Sequence, residues 1–498
     1  MDFDILIRHA TVFDGTGADG YLGDVGIKAG LIAAIGDLRD ATAAHEIDAT
    51  GMVVCPGFID AHTHVHSSIG RGFMHEDNLV RQGITTVVGG NCGSSGWPIG
   101  EHLDTVDRLG MKQNYAVLAG HHTIRRELFG ADQARFLDPS EYKLMQGQVE
   151  RAMDEGAFGV TLGYATRWEP SDEAFAFAEP AGKRDGIYAS HIRSEAAHLL
   201  EAIGEILEVA QHADMRVQIS HLKTLGPANW DKLDAVFCMI EEAVDRGLQV
   251  KADRYTYTAS HGGSTNAVPR IAYQIKQERG SWDNLRDPDV VDMITEEVDK
   301  LYESYGGPEK LLFCSMREPR PEIEGKTAAQ LAAEWGADLL DVGIRLEKMG
   351  GVSAIKMVMS EDNLRRILAH PLVGIGSDAG LQPDRGVQTH PRSYGTFPRV
   401  LAKYVREERV LTLPEAIYKM SGQHAEHFGI TDRGLLGEGL VADVVVFDPW
   451  TVQDRAEFLD AHQYPDGIPY VIVNGKFAVK NGQMTPENHG RALRKTDM

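Results

Sequence analysis

The middle of the chain alternates short apolar runs with longer stretches of helical periodicity. Helical spacing of apolar positions occurs, for example, over Ala196–His212 and Trp230–Arg246. The strand-like runs that surround such stretches are Gly57–Ala61, Ile84–Val88, Tyr115–Leu118, Gly159–Leu162, Ile187–Ser190, Val217–Ser220, Val250–Asp253 and Gly374–Ser377. Repeated strand–helix units predict a parallel sheet. This many units favour an α/β fold whose strands close into a (β/α)8 TIM barrel, here over residues 57–431.

A doubly wound open sheet is the structural alternative to the barrel. Such a sheet requires a glycine-rich phosphate loop after its first strand, and the sequence has none there. Gly325-Lys326-Thr327 lacks the earlier glycine of a phosphate loop, so we interpret it as the start of a helix.

The two ends of the chain differ from the middle. Residues 1–56 and 432–498 contain short apolar runs separated by turns such as Asp14-Gly15-Thr16-Gly17 and Asn474-Gly475, a pattern typical of small β-sheets. Neither end is long enough to bury a good core alone. We therefore expect one discontinuous β-sandwich domain built from both termini.

Residues 270–345 interrupt the strand–helix rhythm. They contain the charged stretch Asp287–Tyr305 and the proline-rich Glu318-Pro319-Arg320-Pro321. We interpret them as a helical insertion in the barrel. Loops that follow barrel strands lie on the catalytic face, so this segment is either a substrate lid or a plain surface excursion.

Composition and charge narrow the class of protein. Fifty Lys and Arg against 73 Asp and Glu give 498 residues a net charge of −23, which argues against a nucleic-acid surface. No apolar run approaches the ~18 residues of a membrane-spanning helix. Four cysteines are too few for a disulfide framework in so long a chain, which indicates a reducing compartment. We expect a cytoplasmic protein that binds neither nucleic acid nor membrane, with an oligomeric state that the sequence does not indicate.

The residues with metal-binding chemistry follow predicted strands. His62-Thr63-His64 comes after Gly57–Ala61, and residues i and i+2 of an extended segment point to the same side. Cys92, His191, His221 and Asp378 lie at the carboxyl ends of four further predicted strands. A barrel brings all these ends to one rim, and imidazole, thiolate and carboxylate together suit Zn²⁺ or a similar divalent ion.

Short motifs surround these residues from one end of the chain to the other. They are Pro56-Gly57-Phe58-Ile59-Asp60-Ala61-His62-Thr63-His64, Gly90-Asn91-Cys92-Gly93, Ser190-His191-Ile192-Arg193-Ser194-Glu195, Ser220-His221-Leu222-Lys223, Asp253-Arg254-Tyr255-Thr256-Tyr257 with Gly263-Ser264-Thr265, Gly376-Ser377-Asp378, His390-Pro391-Arg392, Gly395–Val400 and Gly490–Arg494. Together they resemble the N-acyl-D-amino-acid deacylases, the D-aminoacylase group of the amidohydrolase superfamily. The resemblance runs over almost the whole chain.

The resemblance implies a zinc-dependent hydrolase of N-acyl-D-amino acids that releases a carboxylic acid and a D-amino acid. It assigns a tight zinc site to Cys92, His191 and His221. It assigns a second, weaker site to the histidine pair His62 and His64 with Asp378, which is also the general base.

The resemblance also implies a substrate pocket. The guanidinium of Arg392 holds the substrate carboxylate, for which its fork-shaped set of donors is better suited than a lysine. Lys223 and Tyr257 or Tyr255 line the pocket, and Ser264 belongs to the same matching segment.

The sequence departs from the family in two places. Val65-His66 stands where an aspartate within two residues of the histidine pair is usual, and His66 is a pocket residue, a spare ligand or a solvated side chain; we favour the pocket. Ala379–Thr389 is longer than expected beside the predicted carboxylate clamp. His261 has no role that the resemblance assigns.

Three functions are compatible with these observations. The first is the deacylase, with metal-activated water as nucleophile and Asp378 as general base and acid. The second keeps fold and metal but acts on a cyclic amide, as hydantoinases and dihydropyrimidinases do, or on another carboxylate-bearing amide. The third is a non-catalytic binding protein, against which the complete set of six candidate ligands counts.

Overall fold

The structure is a computed structural model that describes residues 2–498 apart from 131–135, 164–170, 317 and 383–387, and apart from the side chain of Ser264. Residues 383–387 of the Ala379–Thr389 segment therefore lie outside the described residues.

Strands occur along the whole chain. They are β1 (Asp2–Val12), β2 (Tyr21–Lys28), β3 (Leu31–Gly36), β4 (Thr42–Asp48), β5 (Val53–Pro56), β6 (Phe58–Asp60), β7 (Ile84–Gly89), β8 (Asn114–Val117), β9 (Ala119–Gly120), β10 (Gly159–Gly163), β11 (Ile187–His191), β12 (Arg216–Ile219), β13 (Val250–Arg254), β14 (Ser260–Gly262), β15 (Leu311–Met316), β16 (Val352–Lys356), β17 (Val373–Ile375), β18 (Val444–Phe447), β19 (Tyr470–Val473), β20 (Lys476–Lys480) and β21 (Gln483–Met484).

The α-helices of the described residues lie between β6 and β18. They are α1 (Val65–Ile69), α2 (Ile99–Leu109), α3 (His121–Phe129), α4 (Pro139–Asp154), α5 (Ser171–Gly182), α6 (Leu199–Ala213), α7 (Leu233–Asp245), α8 (Arg270–Arg279), α9 (Val291–Tyr305), α10 (Ala328–Trp335), α11 (Leu339–Lys348), α12 (Glu361–Ala369), α13 (Arg392–Arg399), α14 (Leu413–Met420) and α15 (Gly422–Phe428). A π-helical segment, Val400–Glu407, continues α13. Among the described helices, none is both long and apolar enough to cross a membrane.

One sheet joins the two ends of the chain. Within the described residues its strand order is β21-β20-β19-β18-β5-β1-β2-β3, with β4 beside β1. Antiparallel pairing of β18 with β5, from Val444 opposite Pro56 to Phe447 opposite Val53, connects the two halves. Asn474 and Gly475 both have positive φ, 49° and 74°, as the tight turn between β19 and β20 requires.

The middle of the chain forms parallel sheets packed against helices. In the described ranges, β6, β7 and β8 form one sheet and β17-β13-β12-β11-β10-β9 the other. The apolar faces of the helices cover them; Leu199, Ile203 and Ile206 of α6, for instance, are buried in the main core. Backbone hydrogen bonds link the segments that follow β6 and β17. The Asp378 N–H donates to the His62 carbonyl oxygen at 2.8 Å, and the His64 N–H donates to the Ala379 carbonyl oxygen at 2.6 Å.

Residues 260–356 form a side lobe with a core of their own. Helices α8 to α11 pack on an antiparallel sheet of β14, β16 and β15. The sequence predicted helices here but not the strands β15 and β16. Thr327 caps the start of α10, as expected from Gly325-Lys326-Thr327. Its hydroxyl accepts a hydrogen bond from the Gln330 N–H, and the Gln330 side chain accepts one from the Thr327 N–H.

Candidate metal centre

The parallel strands bring all six predicted ligands together. His62 and His64 follow β6, Cys92 follows β7, His191 ends β11, His221 follows β12 and Asp378 follows β17. Their ligand atoms form three overlapping groups, in each of which the atoms lie within 4.8 Å of one another: His62, His64 and Cys92; Cys92, His191 and His221; and His62, His221 and Asp378. The common members make this one cluster.

Cys92 lies at the centre of the cluster. Its Sγ is 3.5 Å from Nε2 of His62, 3.7 Å from Nδ1 of His191 and 3.6 Å from Nε2 of His221. In a tetrahedral zinc site, bonds of ~2.3 Å to sulfur and ~2.0 Å to nitrogen place the two donor atoms about 3.5 Å apart. The donor set and its spacing therefore fit Zn²⁺.

Asp378 connects the cluster to a cation outside it. Its Oδ1 lies 3.0 Å from Nε2 of His64 and 3.6 Å from Nε2 of His62. Its Oδ2 accepts a hydrogen bond of 2.6 Å from the Arg392 guanidinium, which begins α13 and is itself buried. One carboxylate thus contacts both the candidate ligands and the predicted substrate clamp.

Three of the ligands have an unusual backbone conformation. Cys92, His221 and Asp378 have φ angles of 54°, 39° and 54°, in the left-handed region that residues other than glycine rarely adopt. Such conformations persist only where the surrounding structure imposes them, and they concentrate at functional sites. Gly90, two residues before Cys92, has a φ of 82° and no room for a side chain, because a Cβ there would lie 2.1 Å from the Leu118 carbonyl oxygen.

The charges of the cluster favour a bound cation. Burial alone would raise the pKa of the Cys92 thiol, but the positive charge of His62 and hydrogen bonds from His191, His221 and His62 hold it well below the usual value. Burial likewise opposes ionisation of Asp378, yet the Arg392 guanidinium and the His64 hydrogen bond hold its pKa well below the usual range. A thiolate and a carboxylate are the forms that bind metal.

Two carboxylates orient the candidate ligands, and the sequence did not single them out as site residues. Oδ1 of Asp253, on β13, lies 3.3 Å from Nδ1 of His62 and accepts a hydrogen bond of 2.8 Å from the His221 N–H. Oε1 of Glu195 lies 2.8 Å from Nδ1 of His221. Carboxylates in such contact fix the ring orientation of a metal-binding histidine. Both residues lie within the sequence motifs that surround the predicted ligands, and that position is the signal by which the sequence could have identified them.

Comparison with known proteins places this cluster in a family. A model described as amidohydrolase family matches residues 45–271 and 329–479. A D-aminoacylase from Alcaligenes xylosoxydans xylosoxydans is 34% identical over 99% of this chain and 98% of its own. An N-acyl-D-glutamate deacylase from the same organism is also 34% identical, over 99% and 96%. The chain belongs to the N-acyl-D-amino-acid deacylase group of the amidohydrolase family. The interval between the two matched segments falls inside the side lobe.

A solved structure of this family resembles the chain over its whole length. It is the N-acyl-D-glutamate deacylase of Bordetella bronchiseptica in complex with zinc and a phosphonate inhibitor that mimics the tetrahedral intermediate of the reaction. The two share 31% identity and a TM-score of 0.85, over 99% of this chain and 100% of the other. The amidohydrolase fold of this chain is therefore that of known deacylases.

A cavity of about 390 Å³ in this amidohydrolase opens beside the cluster. Of the predicted pocket residues, Lys223 and Tyr255 line it together with His221 and Asp378. Lys223 forms an ion pair with Glu195, and its Nζ lies 2.7 Å from Nδ1 of His221. The Arg392 guanidinium lies over the Tyr255 ring, 4.9 Å from its centre.

The other predicted pocket residues have different positions. The Tyr257 ring is buried below the Arg399 guanidinium, 4.9 Å away. The Ser264 side chain lies outside the described part of the structure. His66 is buried, and its Nδ1 accepts a hydrogen bond of 3.0 Å from the Gly90 N–H, at the start of the turn that carries Cys92. That contact supports a role in holding the turn.

His261, to which the sequence assigned no role, also lines the cavity. It belongs to β14 of the side lobe, and its Nε2 lies 3.3 Å from Sγ of Cys314 on β15. The side lobe thus supplies part of the cavity wall.

Proposed function

We propose that this amidohydrolase is a zinc-dependent deacylase that hydrolyses the amide bond of N-acyl-D-amino acids to a carboxylic acid and a D-amino acid. The observation that carries the proposal is the contact of Asp378 with both the histidine–cysteine cluster and Arg392, beside a cavity. Membership of the deacylase group supports the substrate class and its D configuration.

The proposal includes the architecture that holds the site. The parallel strands β6 to β13 and β17 close into a TIM barrel over residues 57–431, an arrangement that the hydrogen bonds between His62, Asp378 and their neighbours support. Residues 1–56 and 432–498 form a separate β-sandwich domain, supported by the sheet that they share.

The proposed metal ligands fall into two sets. Cys92, His191 and His221 form the tight zinc site, and His62, His64 and Asp378 form a weaker one next to it. When bound, zinc supplies a nucleophile at neutral pH by lowering the pKa of water, and it polarises the amide carbonyl. The distances from the Cys92 Sγ to Nδ1 of His191, 3.7 Å, and to Nε2 of His221, 3.6 Å, support the tight site.

The remaining steps belong to the chain's own residues. Asp378, ionised because Arg392 and His64 favour its charged form, accepts a proton from the attacking water and returns it to the leaving amine nitrogen. Arg392 uses one N–H on Asp378, which leaves other donors of its fork for the substrate carboxylate. Lys223 and Tyr255 line the space in which the substrate lies.

Replacement of Cys92 tests the proposed function. Wild-type protein and Cys92→Ala are purified, analysed for zinc, and assayed with N-acetyl-D-amino acids, their L enantiomers, a hydantoin and a dihydropyrimidine. We expect the wild type to hydrolyse the D substrates selectively, and Cys92→Ala to lose zinc and turnover together. Full zinc content and turnover in the variant would refute the metal assignment, and preference for the cyclic amides would refute the substrate class.

A further inference from the structure

Lys356 is a cation that the proposed reaction does not use. It is the last residue of β16 in the side lobe, where it stands opposite Ser260 of β14. Together with Ser260, it lines the same cavity as His221 and Asp378. A lysine of the side lobe therefore faces the space proposed for the substrate.

The other cations near the cavity have carboxylate partners. Lys223 pairs with Glu195, Arg392 with Asp378, and Arg193 with Glu205. Among the described residues the Lys356 ammonium group has no hydrogen-bond or ion-pair partner, and it lies over the Tyr305 ring, 5.4 Å from the ring centre. Burial lowers the pKa of Lys356. An ammonium group in such a position loses part of its hydration, and a bound carboxylate would replace the hydrogen bonds that water no longer supplies.

Two neighbouring polar groups also lack a hydrogen-bond partner among the described residues. Ser260 Oγ and Asn266 Nδ2 are buried and, among the described residues, have no hydrogen-bond partner. Both residues line the cavity with Lys356. An ammonium, a hydroxyl and an amide N–H are all donors, which is the set that binds a carboxylate.

This group comes from a different part of the chain from the proposed clamp. Ser260 and Lys356 stand opposite each other on β14 and β16, and Asn266 follows β14. Arg392, in contrast, comes from α13 and contacts Asp378. The two cations therefore suit two separate anionic groups on one ligand.

We propose that Lys356, with Ser260 and Asn266, binds a second carboxylate of the substrate, so that this enzyme prefers dianionic N-acyl-D-amino acids. The inference rests on the proposed function and adds a specificity-determining residue to it. The second carboxylate belongs either to the amino-acid side chain, as in D-glutamate, or to a dicarboxylic acyl group, as in an N-succinyl amino acid.

Two matched substrate pairs test the inference with the zinc-loaded full-length enzyme. One pair is N-acetyl-D-glutamate and N-acetyl-D-glutamine; the other is N-succinyl-D-leucine and its terminal amide. The ratio of kcat/KM within each pair is measured for the wild type, Lys356→Gln, Lys356→Arg and Lys310→Gln. Lys310 is the matched control, because it is exposed in the same lobe just before β15. A ratio within one protein does not depend on the fraction that folds.

We expect the wild type to favour the acid at least about tenfold in one pair, which identifies the source of the carboxylate. Lys356→Gln should reduce that ratio roughly 10- to 100-fold, the range for losing a charged hydrogen bond. Lys356→Arg should keep most of the ratio and Lys310→Gln all of it.

Ratios near one in both wild-type pairs, or a ratio that Lys356→Gln leaves unchanged, would overturn the inference. Turnover of N-acetyl-D-leucine beside such ratios would leave the proposed function standing. Failure of every N-acyl-D-amino acid would overturn the proposed function, and this inference with it.

Discussion

Asp253 offers a direct test of how the metal centre is supported. The carboxylate is fully buried on β13, 3.3 Å from Nδ1 of His62, and its Oδ2 accepts a hydrogen bond of 2.9 Å from the Gln218 amide. Asp253→Asn keeps the size and shape of the side chain and removes its charge. We expect the variant to fold and to bind zinc more weakly.

The size of the effect follows from these contacts. With the asparagine oxygen in place of Oδ1, the His221 N–H and the His62 ring keep their acceptor. The NH₂ group of the new asparagine then faces the Gln218 side chain. The Gln218 Oε1 has no partner among the described residues, so a flip of that amide brings an acceptor to the NH₂ group. The hydrogen bonds survive and the negative charge beside His62 is lost. Such a loss costs about 10- to 100-fold in metal affinity, or roughly 1.4–2.8 kcal/mol.

Zinc titration of the metal-free proteins against a competing chelator measures the change. Asp60→Asn is the matched control, because Asp60 is an equally buried carboxylate whose Oδ1 accepts from the backbone N–H of His62, at 3.2 Å, and not from its ring. Burial raises the pKa of Asp60 to about 7, so the neutral amide resembles its protonated form. We expect the control to stay within about threefold of the wild type, far below the 10- to 100-fold effect of an orienting carboxylate.

Equal zinc affinity of Asp253→Asn and wild type would refute this reasoning. So would equal weakening in both variants, because the loss would then come from removing any buried carboxylate near His62. Partial recovery of turnover at high free zinc is expected for Asp253→Asn, since its catalytic groups are intact.

Two further predictions concern Arg392 and His102. Arg392→Lys should raise KM for N-acyl-D-amino acids at least about tenfold at unchanged zinc content, because one ammonium group cannot bind both Asp378 and the substrate carboxylate. An unchanged KM in steady-state assays would contradict the role of Arg392 as the carboxylate clamp. Burial lowers the pKa of His102 from 6.5 to about 4. The unfolded chain therefore takes up a proton first, and stability falls as the pH drops from about 6.5 to 4, by about 2 kcal/mol at pH 5. His102→Gln can keep the contact with the Tyr115 hydroxyl and should lose less stability between pH 7.5 and pH 5 than the wild type. Denaturant titrations at the two pH values measure the free energy of unfolding, and an equal loss in both proteins would contradict the prediction.

The candidate ligands were predictable because their signal is local. The carboxyl ends of parallel strands lie at one edge of the sheet. A histidine, cysteine or aspartate just after a strand-like run is therefore expected at that edge. The structure brings His191, His221 and Asp378 into one cluster although they lie far apart in sequence. The helix start at Thr327 was predictable for the same reason, because capping depends on residues three positions apart.

The supporting groups depend on contacts between distant segments. Asp253 contacts His62 although six strands separate β13 from β6 along the chain, and nothing near either residue in the sequence indicates the pair. The Gly90 N–H binds His66, which the sequence assigned to the pocket, because α1 packs beside the end of β7. Lys356 reaches the cavity through the β14–β16 pairing of a sheet that the sequence did not predict.

The sheet shared by the two ends of the chain has a consequence for biosynthesis. On the ribosome β5 is made early, but its antiparallel neighbour β18 begins about 390 residues later, which at ~5–20 residues per second is a delay of roughly 20 to 80 s. During that time the edge of Val53–Pro56 has no neighbour to pair with, and an unpaired strand edge invites association with other chains. Production of this enzyme should therefore depend on how fast the chain is translated and on chaperones that cover its first strands.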